Sequence, residues 1–163
     1  DAVLAQRAHA FVHGHALQFL GAGAGLDQVA QQLGAPVRRF NWTMTVDPLL
    51  DTSPENYPVW GPSRASLTPE TVGNRMHLRV ELQTLFRLPR SNAIVFPIRC
   101  YLIKFEEIAT QPKWARRLHR VIRDIPDALA TYKGFLRNKP LMVDYLAQFD
   151  DGTPTSPGWW PDA

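Results

Sequence analysis

Polar and apolar residues alternate most clearly between His77 and Ile103. In an extended strand Leu78, Val80 and Leu82 lie on one face. The opposite face carries only polar side chains: His77, Arg79, Glu81 and Gln83. A turn-forming segment follows at residues 88–92, and a second apolar run begins at Ala93. This pattern predicts a β-hairpin with a loop longer than two residues.

The alternation also predicts a register for the hairpin. With residues 88–92 as the loop, Arg87 pairs with Ala93 and Glu81 lies opposite Arg99. Arg79 then lies opposite Tyr101. An opposed Glu–Arg pair fits cross-strand charge complementarity. The pattern alone favours a solvated sheet face with one surface ion pair, worth at most about 1 kcal/mol. The alternative is the floor of a polar pocket.

A second alternating segment, Val37–Val46, predicts another strand. Its apolar face carries Phe40, Trp42, Met44 and Val46, and its polar face carries Arg39, Asn41, Thr43 and Thr45. If this strand and the hairpin share a sheet, their polar rows form one continuous surface.

The rest of the chain predicts a long loop and several helices. Five prolines between residues 47 and 71 exclude a long helix or a central strand there, and a loop of this length is either a functional lid or a flexible insertion. Helical spacing predicts helices within residues 3–20 and 26–33, then from Pro112, up to Tyr132, and from Pro140. In the helix that begins at Pro112, His119 and the arginines are expected on the solvent face. Antiparallel strands with helices gathered on one side define an α+β fold.

Composition narrows the function classes. The chain has 163 residues, enough for one domain, and a net charge of +3 with a pI near 9.3. Basic and acidic residues mingle and no aromatic stacking motif occurs, so we expect no nucleic-acid partner. No apolar run approaches the roughly 18 residues that span a bilayer, so we expect no membrane segment.

The single cysteine, Cys100, excludes a disulfide or a cysteine-based zinc site within the chain and favours the reducing cytoplasm. A buried, inert thiol is the commoner state of such a residue, and a thiolate ligand is the alternative. His9 and His13 are four residues apart, hence on one face of a helix. No nearby acidic residue or cysteine completes a metal site there, so the pair by itself is expected to be incidental.

Three motifs carry a family resemblance: Arg39-Phe-Asn-Trp42, the segment from Leu78 to Pro89, and Ala93-Ile-Val-Phe-Pro-Ile-Arg-Cys-Tyr101. Together they resemble the haem-dependent oxidative N-demethylase α-subunit family over about residues 9 to 147. His9 stands in the place of the histidine in an upstream family motif. The sequence departs from the family pattern at Leu82, which replaces an arginine, and at Phe11 and His13, which replace prolines. The chain looks like the later part of such a protein.

The resemblance implies a PAS-like fold, an antiparallel sheet with helices on one side, that holds haem b in a single domain at residues 1–149. By composition, residues 150–163 are expected to form a Pro- and Gly-rich tail. The resemblance also implies oxidative N-demethylation, with dioxygen, of a small secondary amine such as dimethylamine to formaldehyde and the primary amine. The resemblance further implies that electrons come from NADPH through FMN and a [2Fe–2S] cluster on reductase-type partner subunits. This chain has no motif for those groups, which is consistent with their being on partner subunits.

The motif positions also imply roles for individual residues. His9 is the first candidate for the axial haem ligand, followed by His77 and His13, with Cys100 last. Arg39 or Arg79 would bind the anionic propionates. Glu81 would orient the substrate ammonium or carry a proton, with Arg79 or Arg99 holding its carboxylate ionised. Asn41 and Arg99 complete the candidate cofactor-binding residues, and Glu81 and Arg79 are the candidate catalytic residues.

Two other functions compete with the enzyme subunit. One is a PAS-like sensor that binds haem or a small ligand without turnover. The other is a structural or interaction domain whose polar sheet face is merely solvated.

Overall fold

The computed structural model describes residues 35–155, so the helices expected before residue 34 lie outside the described residues. The strands are β1 (Val37–Val46), β2 (Met76–Arg87), β3 (Ile94–Val95) and β4 (Ile98–Lys104). The helices are α1 (Tyr57–Trp60), α2 (Val72–Arg75), α3 (Phe105–Ala109), α4 (Pro112–Asp124), α5 (Asp127–Tyr132) and α6 (Lys139–Ala147). Short 3₁₀ turns occur at Pro54–Asn56, Pro62–Ala65 and Leu136–Asn138.

The four strands form an open antiparallel sheet in which β2 pairs with each of the others. The chain also contains six helices within the described residues. The hydroxyl of Thr43 on β1 donates a 2.7 Å hydrogen bond to the carbonyl of Lys133, the residue that follows α5. The predicted α+β class is therefore confirmed. The bounds of β1 are those that the alternation predicted.

Strand β2 is buried on both faces for most of its length. Leu78 and Val80 are buried, as the apolar face requires, but so are the polar residues His77, Arg79 and Gln83. The solvated face that the pattern alone favoured is therefore wrong for these positions. Because a polar group loses its water on burial, each of these side chains needs a protein partner or a ligand.

The hairpin register differs by one residue from the prediction. Arg87 pairs with Ile94 and Phe86 with Val95, and the amide of Leu88 donates to the carbonyl of Ala93. The predicted pairing of Arg87 with Ala93 is wrong because the loop has four residues, 89–92, rather than five. Asn92 closes it in the left-handed conformation at φ 59°, which asparagine tolerates better than most residues.

The proline-rich segment folds into helical pieces of at most four residues, which confirms that a long helix and a central strand are excluded. Its ends meet where Asp47 pairs with Arg75. The amide of Asp47 donates to the carbonyl of Arg75 at 2.8 Å, and both oxygens of the Asp47 carboxylate accept bonds from the Arg75 guanidinium, at 2.9 and 2.8 Å. This bidentate pair closes the long loop at its base.

The chain divides into two compact units. Of the described residues, the first unit comprises 35–42 and Val80–Tyr101, and the second comprises Thr43–Arg79 and 102–155. The core of the second unit is apolar, and its largest fully buried side chains are Phe105, Phe135, Met76, Leu118, Ile122, Met142, Leu146 and Val72. None of the helices within residues 35–155 is long and apolar enough to cross a membrane.

Helix α4 corrects two expectations. Arg116 and His119 are buried rather than exposed. Nδ1 of His119 lies 2.8 Å from Oδ2 of Asp150, and Nη1 of Arg116 lies 2.7 Å from Oδ1 of Asp151. Helical spacing assigned these positions to solvent because it cannot show that residues 150 and 151 fold back onto the helix. The first residues of the expected tail are thus anchored.

Candidate functional site

Four polar side chains in the first unit form a hydrogen-bonded group that we call the strand cluster: Arg39, Asn41, Glu81 and Gln83. Nε of Arg39 donates to Oε1 of Gln83 at 2.5 Å. Nε2 of Gln83 donates to Oε2 of Glu81 at 2.9 Å, and Nδ2 of Asn41 reaches the same oxygen at 3.4 Å. The cluster forms because neighbouring antiparallel strands set Arg39 beside Gln83 and Asn41 beside Glu81.

The direction of these bonds fixes the orientation of the Gln83 amide. Its oxygen must face the guanidinium, which only donates, and its nitrogen must face the carboxylate, which only accepts when ionised. The buried amide therefore links the cation of Arg39 to the anion of Glu81. Such a fully directed chain favours one rotamer for each of the three side chains.

Arg39 retains donors for a further anion. Its Nε is used by Gln83, whereas its two Nη groups make no hydrogen bond to any residue in the part of the chain that the structure describes. A half-buried guanidinium with a free fork of donors is suited to a carboxylate such as a haem propionate.

The second unit holds two other candidates, His77 and Arg79. Nη1 of Arg79 donates to the carbonyls of Leu49 and Leu50 at 3.3 and 2.9 Å, so this buried cation fastens the start of the long loop. His77, with 4% of its surface exposed, places Nδ1 2.8 Å from the carbonyl oxygen of Arg75. A carbonyl only accepts, so Nδ1 is the donor in this hydrogen bond.

Each unit, taken by itself, holds one side chain whose chemistry suits haem: His77 in the second unit and Arg39 in the first. A histidine whose Nδ1–H is held by a carbonyl is the arrangement that metal-binding imidazoles adopt, and Nε2 of His77 has no hydrogen-bond partner within residues 35–155. Arg39 supplies the cation that a propionate requires. Within the same residues, no three His, Cys, Asp or Glu side chains are grouped as a metal-ion site.

Other candidates are placed elsewhere or lie outside the described residues. Arg99 does not pair with Glu81: its Cζ lies 5.2 Å from the ring centroid of Tyr101, and no ion pair joins Arg99 to Glu81 among the described residues. His9 and His13 precede the described residues. Cys100 is half-buried, and its role as a ligand stays a prediction.

Sequence reasoning missed the bridging role of Gln83, although its place on the polar row was recognised. The available signal was its spacing of two residues from Glu81, which puts both side chains on one face of β2. It also missed the contacts of Arg116 with Asp151 and of His119 with Asp150, which join residues 35 and 31 positions apart. No local pattern reveals contacts of this kind.

A family model described as haem-dependent oxidative N-demethylase, alpha subunit-like, matches residues 29–143. The match covers well over half of the chain, so the chain belongs to this family. The family description indicates haem dependence, and the words alpha subunit imply that its members work within a complex of several subunits. All four residues of the strand cluster lie inside the matched segment.

Proposed function

We propose that this chain is the haem-binding subunit of an oxidative N-demethylase. Its substrates would be dioxygen and a small secondary amine of the dimethylamine type, and its products formaldehyde and the primary amine. The main support for this proposal is that Glu81 lies within the segment matched by the model of the haem-dependent demethylase family. Its carboxylate is oriented by hydrogen bonds from Gln83 and Asn41.

When bound, haem b supplies the activation of dioxygen and the redox chemistry, which the side chains of this chain cannot provide. On the motif, His9 would hold the haem iron, with His77 as the second candidate. Arg39 would hold a propionate through its Nη groups. Arg79 would fix the loop that begins at Asp47, which is a positioning role.

Glu81 would act on the substrate nitrogen. A secondary amine is an ammonium cation near neutral pH, and an ionised carboxylate held by Gln83 and Asn41 can bind that cation and accept its proton. Because the two amides fix the position of Oε2, the carboxylate meets the substrate without first reorganising.

The electrons would come from NADPH through FMN and a [2Fe–2S] cluster on reductase-type partner subunits. A cytoplasmic location belongs to the same proposal, supported by the single cysteine and by the need for NADPH.

The test is amine-dependent turnover by the reconstituted complex. NADPH oxidation and formaldehyde release should both require dimethylamine. Glu81→Gln should lower turnover at least about 100-fold, the scale of a lost acid–base group, without changing the haem spectrum. Lys104→Gln, on an exposed strand end, is the control and should leave turnover unchanged. Wild-type protein that binds haem but never consumes NADPH with the amine would instead be the sensor. Full turnover by Glu81→Gln would remove the catalytic role of Glu81.

A further inference from the structure

Two large apolar side chains of the first unit, Phe96 and Ile98, are exposed to solvent. Phe96 has 42% of its surface exposed and Ile98 has 47%. Phe96 follows β3, and Ile98 is the first residue of β4, which pairs with β2. Single exposed apolar residues are common on proteins, so their importance depends on whether they share a surface with the strand cluster.

The pairing of β2 with β3 continues as far as Pro97. The amide of Thr84 donates a 3.1 Å hydrogen bond to the carbonyl of Pro97, and each of these residues is two positions from the last pair formed by β3. Because the spacing is equal on both strands, there is no bulge between them and Phe96 lies opposite Leu85. Pro97 has no amide hydrogen to donate, which explains why the regular ladder is interrupted between β3 and β4.

Ile98 lies on the same face of the sheet as Gln83. The residue after Pro97 in this antiparallel pair is Ile98, which therefore lies opposite Gln83, and the side chains of opposed residues share a face. The contact between Arg99 and Tyr101 supports this assignment. Cζ of Arg99 lies 5.2 Å from the ring centroid of Tyr101, so these two side chains share one face and Ile98 lies on the other.

The strand cluster therefore has neighbours of two kinds on this face. Its β1 residues, Arg39 and Asn41, lie on one side of β2, and Ile98 lies on the other side. Diagonal neighbours on adjacent strands are about 7–8 Å apart, which is the separation expected between Ile98 and Glu81. A molecule bound to the carboxylate of Glu81 can therefore contact Ile98 with a chain of a few carbon atoms.

The charges on this face determine what such a molecule must be. The carboxylate of Glu81, oriented by amide donors, attracts a cation. The guanidinium of Arg39 repels a cation, so the remainder of the molecule is favoured on the β4 side. There the residues that share the face, at positions 94, 96, 98 and 100, are Ile, Phe, Ile and Cys, and none has a cationic side chain. An ammonium group with an apolar chain matches both parts of the face.

We propose that the first unit binds an N-methyl alkylamine, whose ammonium is held by Glu81 and whose alkyl chain packs on Ile98 and Phe96. The residues identify an alkylammonium ion, and its N-methyl group rests on the proposed function. The reaction is unchanged: with dioxygen, NADPH and a proton, the N-methyl group gives formaldehyde, and the other products are the primary alkylamine, water and the oxidised nucleotide. Ile98 and Phe96 are thus specificity-determining residues, and dimethylamine, which has no chain to pack, binds more weakly.

The test measures amine binding by calorimetry to the purified full chain, in parallel samples with and without added haem. The ligands are dimethylamine, N-methylbutylamine and N-methylhexylamine. We expect Kd to fall about threefold to fourfold for each methylene that packs on the protein. 1-Hexanol, which has a similar chain and no charge, should bind at least about 10-fold more weakly than N-methylhexylamine.

Ile98→Ala should weaken binding of N-methylhexylamine about 10-fold and change the Kd of dimethylamine less than about twofold, because only the longer ligand reaches Ile98. Val95→Ala removes an aliphatic side chain from the opposite face of the same hairpin, so it is the matched control and should preserve the dependence on chain length. If Ile98→Ala fails to fold by circular dichroism, Phe96→Ala decides, because Phe96 is exposed and lies outside the regular strands.

A Kd that is independent of chain length overturns the proposal, as does a wild type that binds none of the amines. Equal losses in Ile98→Ala and Val95→Ala would indicate non-specific apolar attraction and also overturn it. Dimethylamine-dependent NADPH oxidation by such a protein would leave the proposed function standing. Chain-length-dependent binding that Ile98→Ala removes, without NADPH oxidation, would support the binding site and contradict the proposed function instead.

Discussion

The carboxylate of Asp150 accepts hydrogen bonds from both His119 and Arg120. Nδ1 of His119 lies 2.8 Å from Oδ2, and Nε and Nη2 of Arg120 lie 2.9 and 2.6 Å from Oδ2 and Oδ1. The amide of Gly152 adds a fourth donor at 3.1 Å. These donors, the Arg120 guanidinium first, hold the pKa of Asp150 well below its usual range. They fasten the chain after α6 onto α4.

This arrangement predicts an acid-dependent loss of stability. A carboxyl with a depressed pKa in the folded state stabilises the fold above its unfolded pKa of about 3.9, and this contribution is lost as the pH falls further. Asp150→Asn should therefore unfold at a lower temperature than wild type at pH 7, and the difference should narrow below about pH 4. Thermal melts from pH 7 to pH 2 measure this. Asp151→Asn is the control, because the carboxylate of Asp151 is more exposed. A difference in unfolding temperature between wild type and Asp150→Asn that stays constant from pH 7 to pH 2 would contradict the interpretation.

Alanine substitutions at two glycines with positive φ distinguish the cost of backbone strain from the cost of a side-chain contact. Gly134 has φ 74° and lies against Arg64, whereas Gly152 has φ 79°, and a Cβ added there would meet nothing within 4 Å. Alanine at either site costs about 1 kcal/mol of left-handed strain. Gly134→Ala should cost more than Gly152→Ala, because Arg64 must also move. Urea unfolding of both variants tests this, and equal losses would show that the Arg64 contact contributes nothing.

The strand cluster should behave as a coupled unit. Gln83→Leu removes the acceptor of Arg39 and a donor to Glu81, so we expect the free energy of unfolding to fall by about 1–3 kcal/mol in the protein without haem. Arg39→Met in the Gln83→Leu background should cost less than in wild type, because the bond between them is already lost. A double-mutant cycle measures the coupling, and strictly additive losses would contradict a shared network.

The hairpin register can be tested with engineered cysteines in a Cys100→Ser background. Arg87→Cys with Ile94→Cys places the two thiols directly across the strands, whereas Arg87→Cys with Ala93→Cys follows the register that the sequence predicted. Mild oxidation should form the first disulfide faster and more completely, as read by mass spectrometry of proteolytic fragments. Preferential formation of the second disulfide would contradict the four-residue loop.

Alternation of polar and apolar residues predicted β1 to the residue and β2 to within one residue at each end. Prolines and Gly134 predicted where the later helices begin or end, because both residues constrain the local backbone. Strand bounds and helix ends depend on neighbouring residues, so a local sequence pattern can predict them. The hairpin register was missed because the loop, which Asn92 closes in the left-handed conformation, has four residues rather than five.

The missed parts of the candidate site depend on contacts between distant positions. Periodicity placed Arg116 and His119 on the solvent side of α4, and only the return of Asp150 and Asp151 buries them. Likewise, the alternation pattern alone favoured a solvated face for the polar row of β2. The pattern could not show that both faces are buried, because that burial depends on segments elsewhere in the chain. The residues of the strand cluster were nevertheless all on the predicted polar rows.

The central claim, that this chain binds haem through a histidine, is tested most directly by titrating the purified full chain with haemin and recording the absorbance spectrum. We expect a sharp Soret band that saturates at one haem per chain. His9→Ala should alter this band and added imidazole should restore it, whereas His77→Ala should leave it unchanged. No Soret band with the wild type would contradict the haem function, and a band altered by His77→Ala but not by His9→Ala would contradict the assigned ligand.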